Sequence, residues 1–71
     1  MPNSVYKVIE LVGTSAIGWE DAAKVAIETA AMSLEDLRIA EVVKLDMKID
    51  EEQVILYRAK ISVSFKYHVE A

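Results

Sequence analysis

Strict two-residue alternation runs through residues 55–69, and this pattern constrains the fold more than any other feature of the chain. The apolar side of the alternation is formed by Ile55, Tyr57, Ala59, Ile61, Val63, Phe65, Tyr67 and Val69. Successive side chains of a strand point to opposite faces, so the run predicts one long, half-buried strand. It would span roughly 50 Å at ~3.3 Å per residue, whereas a compact chain of this size is about 30 Å across. We therefore expect the strand to curl strongly and to reach into a neighbouring subunit.

The size of the chain also favours association. Its 71 residues form a single predicted domain, residues 1–71, and one core of this size supplies only about 3–5 kcal/mol of net stability. The absence of cysteine excludes disulfides and thiolate metal sites, and a single histidine excludes a multi-histidine metal cluster within one chain. With 54% hydrophobic residues, assembly with further copies is the stabilising device that remains.

Charge and hydropathy limit the partners and the location. A net charge of −4 argues against nucleic-acid binding, because no basic surface is available to neutralise phosphates. The first residues lack the charged and apolar segments of a secretory signal, and no apolar stretch has the length of a membrane span. These features predict a soluble, cytoplasmic protein that binds neither nucleic acid nor membranes.

The first half of the chain contains a predicted strand and a predicted helix. Residues 5–12 are β-branched and aromatic with apolar residues on both faces, which is typical of a strand covered on two sides. Residues 13–15 end that strand in a tight turn. Residues 18–32 change to a helical period with a mostly alanine stripe. Trp19 lies at the start of this helix, either as a core or interface anchor or as a stacking platform for a planar ligand.

The second half contains two predicted strands. Residues 38–49 place Ile39, Val43, Leu45, Met47 and Ile49 on one apolar face. Glu41 is the only charged residue on that face, and an intruding carboxylate usually has a partner. We expect Arg38 or Arg58 to pair with it, from the same or another subunit. Residues 50–53 form a polar turn before the long strand, so the predicted order is β-α-β-β.

The sequence shows no pattern typical of an enzyme. The single glycine of Gly13-Thr14-Ser15 is not followed by the lysine of a phosphate-binding loop. Ser64 and His68 lie four residues apart on one strand, about 13 Å at the strand rise, which is too far for a catalytic pair. The adjacent carboxylates of the chain are predicted to be solvated or to bind calcium loosely. We expect a binding protein rather than an enzyme.

Four stretches, which together cover almost the whole chain, match a known family in order and without large gaps. They are residues 5–15 (VYKVIELVGTS), 19–23 (WEDAA), 37–43 (LRIAEVV) and 57–66 (YRAKISVSFK). These stretches resemble the dodecin family. The resemblance implies an α+β fold, in which a three-stranded antiparallel sheet wraps around one helix and twelve copies form a hollow homododecamer. It also implies non-enzymatic storage or sequestration of flavins such as riboflavin or FMN between subunits.

Two positions depart from the flavin-binding pattern of that family. In dodecins of the best-known kind, a tryptophan early in the second strand stacks on the flavin and a glutamine in the third strand holds it. Ile39 and Arg58 occupy the corresponding positions here. Isoleucine has no π-face, and stacking of a nucleobase on an aromatic ring is worth about 1–3 kcal/mol, which is one to two decades of affinity.

Three residues are therefore assigned to the implied pocket, with two hypotheses for its ligand. Ile39 would form an apolar wall, Arg58 would donate hydrogen bonds, and Glu41 would pair with Arg58 or contact the flavin. Alternatively, an Arg58–Glu41 ion pair closes the pocket, and the shell binds cations such as calcium or serves a structural role. The resemblance supports this alternative, because family members without the tryptophan form a subgroup associated with calcium.

Overall fold

A computed structural model describes residues 4–67 of the chain, and these residues form one sheet and one helix. The elements in order are β1 (Tyr6–Ser15), α1 (Trp19–Ala31), β2 (Leu37–Asp50) and β3 (Gln53–Lys66). The sheet is antiparallel with the strand order β1-β3-β2. The predicted β-α-β-β fold is therefore confirmed. His68 and Val69, the last two residues of the predicted long strand, lie outside the described residues.

Strand β1 is longer than predicted, because the turn assigned to residues 13–15 lies further along the chain. Gly13 pairs with Ala59 of β3 and Ser15 pairs with Tyr57. The Ser15 hydroxyl accepts a hydrogen bond from the Ile17 backbone N–H at 2.9 Å and donates one to Asp21 Oδ2 at 2.8 Å. Ser15 thus joins the end of β1 to the first turn of the helix, and the chain turns after it.

The alanine stripe brings α1 very close to the sheet. Ala22, Ala26 and Ala30 are the buried residues of the helix. Gly13 lies beneath them: a Cβ atom at this position would overlap the Ala22 carbonyl oxygen and lie 2.9 Å from Ala26 Cβ. Close approach of helix and strand therefore requires glycine at position 13 for steric reasons.

The core lies between α1 and the inner face of the sheet, by which we mean the face that carries the helix. Ala59, Ile61 and Val63 of β3 are buried there almost completely. Partly buried hydrophobic residues surround this cluster: Ile9, Leu11, Ala23, Ile27 and Leu37. The alternation in the sequence correctly identified the buried face of β3.

Strand β2 contains two β-bulges, which overturn its predicted apolar face. One extra residue is inserted at Arg38 and another at Val43, where the register against β3 shifts. Each bulge moves the side chains beyond it to the opposite face of the sheet. Leu45 and Met47 consequently lie on the inner face, whereas Ile39 does not.

Glu41 is therefore not an intruder on an apolar face. It pairs with Ser62, and Ile39 pairs with Ser64, both on the face opposite the helix, which we call the outer face. The prediction that Ile39 and Glu41 share a face with Leu45 is wrong, because simple alternation cannot represent an inserted residue.

The β2–β3 hairpin extends far beyond the helix. The molecule measures 55 × 20 × 16 Å with a radius of gyration of 14.9 Å, against about 11 Å for a compact chain of this length. The hairpin ends in a two-residue loop, Glu51 and Glu52, whose positive φ angles of 49° and 64° are those of a tight hairpin turn. The predicted excess length of the last strand is thus visible as an elongated molecule.

Large apolar side chains remain exposed along this hairpin. Four inner-face residues of β2 are between 42% and 64% exposed: Val42, Leu45, Met47 and Ile49. The 13-residue helix, about 20 Å long, touches this strand through Trp19 but leaves these four side chains largely accessible. A large part of the inner face is consequently uncovered within one copy of the chain.

Gly13→Ala tests the close approach of helix and strand. The added methyl group would collide with backbone, which cannot move aside as a flexible side chain does, so we expect a loss of roughly 3 kcal/mol in the free energy of unfolding. Urea denaturation at one fixed protein concentration measures it. Gly18→Ala is the control, because a Cβ atom there meets nothing within 4 Å, and it should cost less than about 1 kcal/mol. Equal losses in the two variants would contradict the packing argument.

Candidate functional site

All three residues assigned to the implied pocket lie on the outer face of the sheet, but one protomer does not bring them together. Ile39 pairs with Ser64, and Arg58 precedes Ser64 by six residues on β3. At the rise of a strand this separation is about 20 Å. A pocket that uses both Ile39 and Arg58 therefore needs more than one copy of the chain.

Ile39 lies in a shallow recess near the end of the sheet. Its side chain is 68% exposed, and it lines a cavity of about 490 Å³ together with Tyr6, Arg38 and Ser64. Tyr6 contributes the only ring among these lining residues, and the sequence argument did not assign it to the site. The antiparallel register locates Tyr6, because it places Tyr6 of β1 across from Lys66 of β3, two residues from the Ser64 that pairs with Ile39.

Arg58 makes a two-pronged ion pair with Asp46. Its Nε atom donates to Asp46 Oδ1 at 2.7 Å and its Nη2 atom donates to Oδ2 at 2.9 Å. The two residues lie opposite each other in the β2–β3 register. Within one protomer Arg58 therefore pairs with Asp46 and not with Glu41, which lies at Ser62, four positions further along β3. A pair of Arg58 with Glu41 of another copy stays a prediction.

This ion pair changes the acid–base behaviour of both partners. The hydrogen bond from Arg58 is the largest influence on the pKa of Asp46 and lowers it from the ordinary 3.8. Partial desolvation opposes this effect, and the positive charges of Arg58 and Lys44 add to it. The same hydrogen bond raises the pKa of Arg58. The guanidinium is thus a permanent cation in a fixed orientation.

Trp19 anchors the start of the helix to the hairpin. Its indole Nε1 donates a hydrogen bond of 2.9 Å to the backbone carbonyl of Asp46. Its ring meets that of Tyr57 edge to face, with centroids 5.2 Å apart and an interplanar angle of 76°. These two contacts hold Trp19 in place against the hairpin, as the anchor interpretation predicts.

Neither a metal cluster nor a membrane helix is found in the part of the chain that the structure describes. Within residues 4–67, no group of three or more acidic or histidine side chains is arranged to hold a metal ion. The helix found among these residues is too short and too polar to cross a membrane.

Comparisons with known proteins agree on one family. A family model described as Dodecin matches residues 5–68. The chain is 49% identical over 63 residues to Calcium dodecin of Mycobacterium tuberculosis, with 89% of each protein covered.

Solved structures of the same family share the fold over nearly the full length. Dodecin from Streptomyces coelicolor superposes with a TM-score of 0.92 at 30% identity, over 99% of this chain and all of that chain. The structure of calcium dodecin from M. tuberculosis, which is described as calcium-chelating with a novel calcium-binding site, gives a TM-score of 0.84 at 46% identity. That match covers 96% of this chain and 97% of the other.

Asp46→Asn tests the ion pair through its pH dependence. A carboxylate whose pKa is lowered in the folded state contributes stability above its unfolded pKa and loses it as the pH falls through the folded value. We therefore expect the wild-type urea midpoint to fall more steeply than that of Asp46→Asn between about pH 5 and about pH 2. Asp50→Asn removes the same charge at the hairpin end and should behave as the wild type does. Parallel acid profiles for wild type and Asp46→Asn would contradict the assignment.

Proposed function

This chain belongs to the dodecin family, and we propose that it is a non-enzymatic protein that assembles into a hollow homododecamer and binds a small ligand between its copies. The observation that carries this proposal is the uncovered inner face of the β2–β3 hairpin. Four large apolar residues in a row are left accessible there, a patch of the kind that marks interaction sites. The number of twelve copies comes from the family.

The ligand is proposed to lie between copies because one copy does not complete a site for it. Ile39 and Arg58 are about 20 Å apart along β3, and the described residues of a single protomer hold no acidic cluster for a metal ion. Assembly would thus serve two purposes: it buries the hairpin, and it combines ligand-binding groups from different chains.

Flavin, as riboflavin or FMN, is the first candidate ligand. Ile39 and the recess around it would offer an apolar wall to the isoalloxazine ring, with Glu41 as a polar contact from the same face. Arg58 retains three N–H donors after its two bonds to Asp46, and these would bond a flavin carbonyl or phosphate. Sequestration requires only such binding, so no nucleophile or catalytic base is involved.

Calcium is the second candidate, and the relatives are what favours it. The protein named Calcium dodecin is 49% identical to this chain, and the structure described as calcium-chelating is 46% identical. Calcium takes six to eight oxygen ligands, mostly carboxylates and carbonyls. The 12 acidic residues of this chain would supply them from more than one copy.

Riboflavin fluorescence quenching tests the flavin pocket, with Ile39→Trp as the informative variant. Replacing the isoleucine by a stacking ring should tighten riboflavin binding roughly tenfold to a hundredfold. Ile17→Trp is the control, because Ile17 is 82% exposed and precedes the helix. If Ile39→Trp binds no more tightly than Ile17→Trp, position 39 does not face a flavin. If neither the wild type nor Ile39→Trp quenches riboflavin, the flavin candidate is abandoned.

Thermal unfolding of metal-free protein tests calcium. If shared carboxylates bind the ion, millimolar calcium chloride should raise the unfolding temperature above the value in the same concentration of magnesium chloride, because ligand binding to the folded state stabilises it. Equal temperatures in the two salts would reject a specific calcium site. The two ligand tests are independent, so each candidate fails or survives separately.

A further inference from the structure

A second, positively charged recess lies in the middle of the outer face. It has a volume of about 220 Å³ and is lined by Val12, Lys44, Asp46, Arg58 and Lys60. Three cations thus surround one carboxylate, although the whole chain carries a net charge of −4. Positive charge is therefore concentrated in this recess, although the chain as a whole is negatively charged.

The register of the sheet places two of these cations directly opposite each other. Lys44 of β2 pairs with Lys60 of β3, and like charges across a pair of strands are destabilising. The bulge at Val43 creates this arrangement, since without the extra residue Lys44 would lie on the inner face. Bulges often redirect side chains beside binding and active sites.

Two of the three cations have ion-pair partners among the described residues, and the third, Lys44, has none there. Arg58 is held by Asp46 in the two-pronged pair described above, and the Nζ atom of Lys60 lies 3.4 Å from Glu10 Oε1. Among residues 4–67, Lys44 has no carboxylate within ion-pair distance. The recess therefore retains uncompensated positive charge next to a guanidinium that is already fixed in position.

We propose that this recess binds a small phosphate-bearing anion. Lys44 and Lys60 would act as point charges on its oxygens, and the free N–H groups of Arg58 would orient it. The volume equals roughly seven water molecules at ~30 Å³ each, enough for a phosphate group and the first atoms attached to it. The bound anion would also remove the repulsion between Lys44 and Lys60. The proposal does not depend on calcium binding. Arg58 is also assigned to the proposed flavin pocket, so a flavin and the anion would share its free N–H groups; riboflavin, which has no phosphate, distinguishes the two sites in the test below.

Isothermal titration with pyrophosphate at low, constant salt tests the recess. We expect the wild type to bind pyrophosphate, and Lys44→Gln and Lys60→Gln each to weaken the binding roughly tenfold. Lys24→Gln is the matched control: it removes the same charge from an exposed position on α1 and should change the affinity less than twofold. Circular dichroism and the mass of the assembly, measured on each variant, establish that it is folded and assembled.

Three results would overturn the proposal. The first is that the wild type does not bind pyrophosphate. The second is that Lys24→Gln weakens binding as much as Lys44→Gln, which would indicate general charge attraction. The third is that Lys44→Gln lowers the mass of the assembly without changing the affinity for pyrophosphate. The last result would show that Lys44 pairs with a carboxylate of another copy. Riboflavin and calcium titrations of the same variants separate a failure of this recess from a failure of the ligand sites proposed above.

Discussion

The mismatch between a short helix and a long hairpin leaves much of the sheet uncovered within one copy of this chain. Helix α1 has 13 residues and strands β2 and β3 have 14 each, but a strand advances more than twice as far per residue as a helix does. The helix therefore protects the inner face around Ala59, Ile61 and Val63 of β3 and leaves the neighbouring edge strand exposed. Val42 and Leu45 lie opposite Ile61 and Ala59 and are still about half exposed. The apolar side chains of β2 and of the far end of the hairpin stay exposed in a single copy. The assembly proposed above would cover them and would bring together the ligand-binding groups that one copy keeps apart.

Asp46 connects the protected and the unprotected parts of the molecule. Its backbone carbonyl accepts the hydrogen bond from Trp19 on the helix, and its carboxylate holds Arg58 on the outer face. A single residue of β2 thus links the position of the helix to the orientation of the guanidinium. The two-pronged contact orients the guanidinium of Arg58, and both ligand sites proposed for the outer face would use this donor.

The sequence was sufficient for the fold but not for the site. Burial on β3 followed from its strict alternation, and the close-packed helix followed from its alanine stripe, because both patterns repeat over many residues. The bulge at Val43 leaves no such repeat. It is a single extra residue in β2, and no periodic pattern in the sequence marks where such a residue is inserted. Glu41 was consequently assigned to the wrong face and Asp46 was missed as the partner of Arg58. Residues shared between copies lie beyond any argument about spacing within one chain.

The most direct test of the central claim is the mass of the protein in solution, measured by light scattering or sedimentation at micromolar concentration. If the hairpin must be covered by other copies, the folded protein appears as one large species, near 95 kDa for twelve chains of 7.9 kDa. A stably folded species with the mass of a single chain would contradict the claim, because it would show that the exposed face of β2 and β3 needs no partner.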